Sequence, residues 1–227
     1  MITSDVAIRQ SLARIKENLL EADLLYDWNE AVVERAAHGR RRVTWATDGT
    51  RPVLSVHQNA SIEEYLGFLE GRHYNFLAND GAIFQFSYDL RRDGSVESSR
   101  LLWFPCPVEF TREELEYASI KELVETAPAA MLQCRGQLRF DYSPAQVAEN
   151  HSCTHLHIGA ENFRLPVQRP LEPCRFVRLV IRTAYPSAWD AVHGFRNAEN
   201  WNAGDALSDQ DRTYGNLAWN VMAAAAN

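Results

Sequence analysis

Apolar residues recur at alternating steps of four and three near the start of the chain, at Ile8, Leu12, Ile15, Leu19 and Ala22. That spacing sets them along one stripe of an α-helix over Ser4 to Tyr26, with Ser4 or Asp5 placed to cap its first turn. Arg9, Lys16, Glu17 and Glu21 fall on the other side, so the helix is expected on the surface of the domain or against a partner. A second helical piece is expected from Asn29, ending near Gly39. The period then shortens. Val43 to Ala46 and Val53 to His57 read as short strands around a turn at Asp48 to Pro52. The triplet Arg40, Arg41 and Arg42 reads as a solvated strand entrance or as part of an anion site.

Ser61 with Glu64 three residues on has the form of a capping box opening a helix to about Glu70. Tyr74 to Ala78 and Ala82 to Leu90 flank Asn79-Asp80-Gly81, and Phe84, Phe86 and Tyr88 alternate with Gln85, Ser87 and Asp89. This is a hairpin with one apolar face. Arg92-Asp93-Gly94 returns the chain into Arg100 to Phe104, and Pro105 and Pro107 end the ladder. Thr111 with Glu114 predicts a helix through Leu115, Ile120, Leu123 and Val124 that stops before Pro128. Strands are expected at Gln137 to Tyr142, Thr154 to Ile158 and Phe163 to Val167. Pro173 suits the first turn of a helix to about Tyr185, with Phe176, Val177, Val180 and Ile181 inward and Arg175, Arg178 and Arg182 opposite. A final helix is expected over Leu217 to Ala226. The fold class is therefore α+β, with a curved antiparallel sheet of about five to seven strands and N-terminal and C-terminal helices packed on it. One domain spans 1–227, divided into an N-terminal helical arm (1–40), a core (41–195) and an irregular and helical tail (196–227).

The 227 residues are 46% hydrophobic and 23% charged, values that exclude disorder, collagen-like repeats and coiled-coil rods. No apolar run approaches the roughly 20 residues of a membrane span, and Met1 to Asp5 lacks the layout of a signal peptide, so a cytoplasmic protein without a membrane partner is expected. The net charge of -7 argues against a generic nucleic-acid coat. Between Arg135 and Arg182, however, seven Arg face Asp141, Glu149, Glu161 and Glu172, a local balance of +3 where an anion would bind. Lysine occurs only at 16 and 121 among 23 basic residues, and arginine forks grip phosphate or carboxylate in a way lysine does not. The 4 cysteines form no CxxC pair, and Cys106 between two prolines reads as a packed thiol. Phosphate-binding glycine loops, serine-hydrolase elbows and HExxH helices are absent.

Chemistry gathers at His151-Ser152-Cys153-Thr154-His155-Leu156-His157-Ile158-Gly159. On an extended strand 151, 153, 155 and 157 share one face, while Leu156 and Ile158 point to the core. Bases four or six residues apart on a strand lie roughly 13 to 20 Å apart, so one ion cannot take all four. A divalent metal would use His155 and His157 with Asp141 from a neighbouring strand, leaving a position for water. The metal-free reading is a general acid and base pair, with Arg139 or Arg164 holding an anion. The plain structural reading is a hydrogen-bonded histidine pair on a half-buried strand. In Leu138-Arg139-Phe140-Asp141-Tyr142, Arg139 and Asp141 share a face, so neighbouring strands would converge Arg139, Asp141, His155 and His157 as candidate catalytic residues. Arg164 and Arg178 are the candidates for binding substrate.

The run from Asn79-Asp80-Gly81 through Phe86-Ser87-Tyr88, the turn Trp103-Phe104-Pro105-Cys106-Pro107, and His155-Leu156-His157-Ile158-Gly159 form a recognisable set. Arg164-Leu165-Pro166-Val167 and Pro170-Leu171-Glu172-Pro173 complete it. Together they resemble an uncharacterised bacterial family known as a domain of unknown function, over roughly residues 60 to 195. More loosely, an Arg-x-Asp strand followed by an HxH strand resembles the small toxin components of bacterial toxin-antitoxin pairs. These resemblances imply antiphage defence or a toxin-antitoxin setting. Two functions are expected: a phosphodiesterase or nuclease-like effector acting on nucleic acid or nucleotide through Arg139, Asp141, His155 and His157, or a non-catalytic subunit that binds another protein through the N-terminal helix and the Trp-bearing tail.

Overall fold

Ser4 caps the first helix, α1 (Asp5–Glu21), by accepting a hydrogen bond from the Ala7 amide at 3.0 Å, and the stripe Ile8, Leu12, Ile15 and Leu19 is buried as its spacing requires. The computed structural model describes residues 4–47, 52–54, 61–133, 135–148, 151–197 and 204–214. Residues 53 and 54 are in no strand. The rest of the expected Val53 to His57 strand, most of the preceding turn and the expected Leu217 to Ala226 helix lie outside the described residues.

The helix expected from Asn29 is instead a pair of strands. β1 (Leu25–Trp28) is followed by β2 (Ala31–Arg35), which pairs residue by residue with β3 (Arg41–Trp45). The apolar run of β2 is too short for period alone to separate helix from strand, and β-branched Val32 and Val33 find cross-strand partners in Thr44 and Val43.

α2 (Ile62–Glu70) opens from the Ser61 cap, and β4 (Phe76–Ala78) turns through Gly81 into β5 (Ile83–Leu90). Gly81 has φ 80°, and a Cβ there would meet the Cys106 side chain at 2.8 Å. β6 (Val96–Phe104) completes the meander. Thr111 and Glu114 do bond to each other, but they close only one tight turn at Glu114–Glu116; α3 (Ile120–Thr126) starts later, from a capping box of Ser119 and Glu122. Then come β7 (Leu138–Tyr142), β8 (Thr154–Ile158), β9 (Ala160–Pro166), α4 (Pro173–Ala184), α5 (Pro186–Ala191) and α6 (Asp209–Tyr214).

Among the described residues the strands form one open antiparallel sheet of nine, in the order β1-β4-β5-β6-β7-β8-β9, with β3 carrying β2 onto the far end of β5. The chain is a single α+β domain. Residues directly opposite in antiparallel strands share a face. Phe86, Leu101, Phe140, Leu156 and Leu165 form one row, and α1 and α4 cover that side, with the Phe176 ring edge-on to Phe86 at 6.0 Å. On the other side α2 and α3 pack on Leu77, Ile83, Leu102 and Phe104. Beyond Leu102 this second face is polar. No helix among the described residues is long and apolar enough to cross a membrane.

Candidate functional site

Two registered rows make up the polar part of the second face. One runs Gln85, Leu102, Arg139, His157 and Arg164; the next runs Ser87, Arg100, Asp141, His155 and Pro166. Alternation along β7 and β8 gives each strand two polar residues on this side, and the antiparallel register sets Arg139 opposite His157 and Asp141 opposite His155. They are also buried: Arg139 is 4% exposed, Asp141 8%, and His155 and His157 2% each. Gly136 and Gly159 brace this end of the strands, since a Cβ on Gly136 would stand 2.8 Å from the Gly159 Cα.

The Asp141 carboxylate accepts from Arg100 Nε at 2.9 Å on one oxygen and from Arg139 Nε at 3.1 Å on the other. Arg139 Nη2 lies 3.1 Å from His157 Nε2. A guanidinium only donates, so Nε2 accepts and the His157 proton sits on Nδ1, which is buried with no hydrogen-bond partner. His155 Nδ1 lies 2.8 Å from the Ser152 carbonyl, which only accepts, so His155 donates from Nδ1 and turns Nε2 toward Asp141. Asp141 Oδ2 is then 3.4 Å from His157 Nε2 and 3.9 Å from His155 Nε2.

Electrostatics sharpen this arrangement. Burial alone would raise the Asp141 carboxyl, but the guanidinium groups of Arg100 and Arg139 beside it hold it far below the usual carboxylate range. Burial pushes His155 down to about 4, against the upward pull of its bond to Ser152 and of Asp141, so its ring is neutral at pH 7. One ligand atom from each of Asp141, His155 and His157 falls within 4.8 Å of the others, the only such metal-competent set among the described residues. A cleft of about 180 Å³ reaches the cluster from the Asp141 side, lined by Ser87, Asp89, Ser98, Arg100 and Ser143 among others.

A family model described as Uncharacterized conserved protein (DUF2290) matches residues 24–219. The chain belongs to that family. The match contains every strand and every residue of the cluster. No curated protein and no solved structure matches.

Of the residues singled out from the sequence, the DUF2290 fold brings Arg139, Asp141, His155 and His157 together, and Arg164, half-buried opposite His157, joins their face. Arg178 is elsewhere. It lies on α4, against the other side of the sheet, with its guanidinium 5.6 Å over the Trp189 ring. Ile158, expected in the core with Leu156, is 48% exposed because the strand ends there at an irregular register with β9. Cys153 precedes β8 and contacts the Ala206 carbonyl instead of the cluster. Cys106 is buried, and burial pushes its thiol up, consistent with a packed residue.

Three residues of the site escaped sequence reasoning. Arg100 was assigned to a strand with no role, although its alternation with Leu101 and Leu102 carries the signal. His151 was excluded by the strand spacing, yet the chain is not extended through 151–153, and the His151 ring lies 4.7 Å from that of His155. Asp211 on α6 accepts from the Ser152 hydroxyl, so the C-terminal segment reaches the loop that holds His155. Nothing local in the sequence links positions 152 and 211.

Proposed function

We propose that the chain is a hydrolase of phosphodiesters or related phosphate esters, nuclease-like in its chemistry, acting as the effector of a bacterial defence or toxin-antitoxin system. The convergence of two arginines, a strongly ionised carboxylate and two imidazoles, buried on the polar part of the second face, carries the reading. In the reaction water attacks phosphorus and gives a proton to the basic atoms of the cluster. The bond from phosphorus to the leaving oxygen breaks, and that oxygen departs with the electron pair and takes up a proton. Arg100, which lines the cleft, neutralises the phosphate, with Arg164 on the same sheet face opposite His157 as the further cation, as guanidinium forks do. The cleft is smaller than the roughly 300 Å³ of a site that encloses a whole small ligand, and suits one phosphoryl group with the rest of the substrate outside. The defence setting rests on the resemblance of residues 60 to 195 alone.

The test is turnover of a chromogenic bis-aryl phosphodiester and of a single-stranded oligonucleotide by the full chain, with manganese and with chelator. Product release is expected, falling roughly 100-fold or more in Asp141→Asn and His157→Gln at unchanged circular dichroism. No product from either probe in any of these conditions would end the hydrolase reading.

A second reading, a non-catalytic subunit, is favoured by a different observation. The larger groove, about 400 Å³, lies away from the cluster between α1 and the β1–β2 edge, lined by Val6, Arg9, Lys16, Trp28 and Glu30. Trp28 is exposed there, and Tyr26 is exposed two residues before it on the same edge strand. Copurification checks it: a chain that stays alone and monomeric is not such a subunit.

A further inference from the structure

We infer that Asp141, His155 and His157 form a site for a divalent first-row transition-metal ion, of the zinc or manganese class, which binds by exchange with the Arg139 guanidinium. The ion itself is argued from geometry; only its use in activating water rests on the hydrolase reading above.

Three lone-pair atoms face one another. His155 commits its Nδ1 proton to the Ser152 carbonyl, leaving Nε2 as an acceptor. His157 Nε2 and Asp141 Oδ2 both accept from Arg139. Acceptors 3.4 and 3.9 Å apart repel in a buried site unless a cation lies among them. Arg139 is that cation, bonded to His157 Nε2 and Asp141 Oδ2, and the buried His157 Nδ1 finds no partner on its other side. A metal ion would engage all three at once. Tetrahedral bonds of 2.0 to 2.1 Å put ligand atoms about 3.4 Å apart, so the His157–Asp141 separation already fits and the His155–Asp141 one closes by about half an ångström.

The donor set also selects the ion. Two imidazoles and one carboxylate suit zinc, manganese or iron(II), whereas calcium and magnesium ask for oxygen ligands throughout. Ser152 supplies the backing carbonyl that metal-bound imidazoles characteristically have, and Asp211 in turn holds the Ser152 hydroxyl. Three protein ligands leave a position open for water. Exchange has a second effect: the displaced guanidinium becomes available to an anion arriving beside the ion.

The experiment is titration of metal-stripped full-length protein with cobalt(II), followed by its visible absorption, with zinc as competitor. The wild type should take up one equivalent, displaced by zinc, and His155→Ala and Asp141→Ala should lose it. Arg139→Met, which removes the competing charge, should bind at least ten-fold tighter. Should that variant fail to fold, the Arg139 side-chain nitrogen resonance of the wild type serves instead, and it should shift on adding zinc. No uptake by the wild type or by Arg139→Met would overturn the site. Equal or weaker binding by Arg139→Met, or an unmoved arginine resonance in zinc-loaded protein, would overturn the exchange. Turnover that survives chelator would defeat the ion's use in activating water and leave the hydrolase standing, whereas cobalt uptake without turnover would uphold the ion site and overturn the hydrolase.

Discussion

The same strands build two different surfaces. Toward α1 and α4 they present Phe86, Leu101, Phe140 and Leu156; one residue away along each strand, toward the other side, they present Ser87, Arg100, Arg139, Asp141, His155 and His157. Phe140 and the histidines are comparably buried, but burial acts on them in opposite ways. Removing apolar area from water stabilises by about 25 cal/mol per Å². Removing an ion pair from water gains little or nothing over apolar side chains of similar volume. The apolar face thus accounts for the fold, and folding alone gives no reason for the charges beside it.

Substitutions in register with one another break this comparison most directly. Phe140→Ala, at the centre of the apolar row, is expected to cost about 3 to 5 kcal/mol through lost transfer energy and the cavity left behind. Asp141→Ala, its neighbour on the other face, strands the buried Arg139 charge and is expected to cost about 3 kcal/mol. The double change Arg139→Met with Asp141→Leu removes both charges and should return stability to within about 1 kcal/mol of the wild type. Urea unfolding measures all three. If the double variant is as unstable as Asp141→Ala, the charged cluster is holding the fold together and the contrast between the faces disappears.

How much of this was legible follows from the range of each signal. Period-two alternation through Leu138 to Tyr142 and Thr154 to Ile158 is local, and it already separates Arg139 and Asp141 from Phe140, and His155 and His157 from Leu156. The helix from Pro173 is announced by its own proline and stripe. Ala31 to Arg35 was misread because a three-residue apolar run, Ala31 to Val33, takes its conformation from the strand it meets, here Arg41 to Trp45. Arg178 was drawn in by charge, although its helix covers the opposite face. His151 depends on a bend in the loop, and Asp211 on a segment almost sixty residues away folding back. Neither is a property of any window of sequence.

The next effect depends on pH and belongs to the polar face alone. His155 has its folded-state value pushed down to about 4 from an ordinary 6.5, so the fold favours the neutral ring. Below about pH 6.5 the unfolded chain takes up a proton that the folded chain refuses. The stability this ring contributes is complete above that pH and drains away as pH falls toward 4, by on the order of 3 kcal/mol at most. The Asp141 carboxyl, also lowered, loses its contribution in a separate window below about pH 4. Between pH 7 and 4.5 the urea midpoint of the metal-free wild type should fall more steeply than that of His155→Gln, whose side chain does not titrate. Parallel curves for the two proteins would show that the His155 ring is not held neutral by its surroundings.

The smallest expected effect concerns the strap that joins α6 to the polar face. Ala206 donates to the Gln168 carbonyl at 2.8 Å, and Asp211 divides its oxygens between the Ser152 hydroxyl on one side and the Ser208 amide and hydroxyl on the other, the last two at 2.9 and 2.8 Å. Asp211→Asn keeps one oxygen acceptor and loses the charge, so one side of that division must weaken. The loss should be about 1 kcal/mol, because the residue is partly exposed. It should also be local. Amide hydrogen exchange is expected to quicken several-fold in 204–212 and 151–155, while the amides of Leu101, Phe140 and Leu156 keep their protection. Equal quickening in both sets would make the strap part of the global core. No change in either would mean that Ser152, and through it His155, is positioned without Asp211.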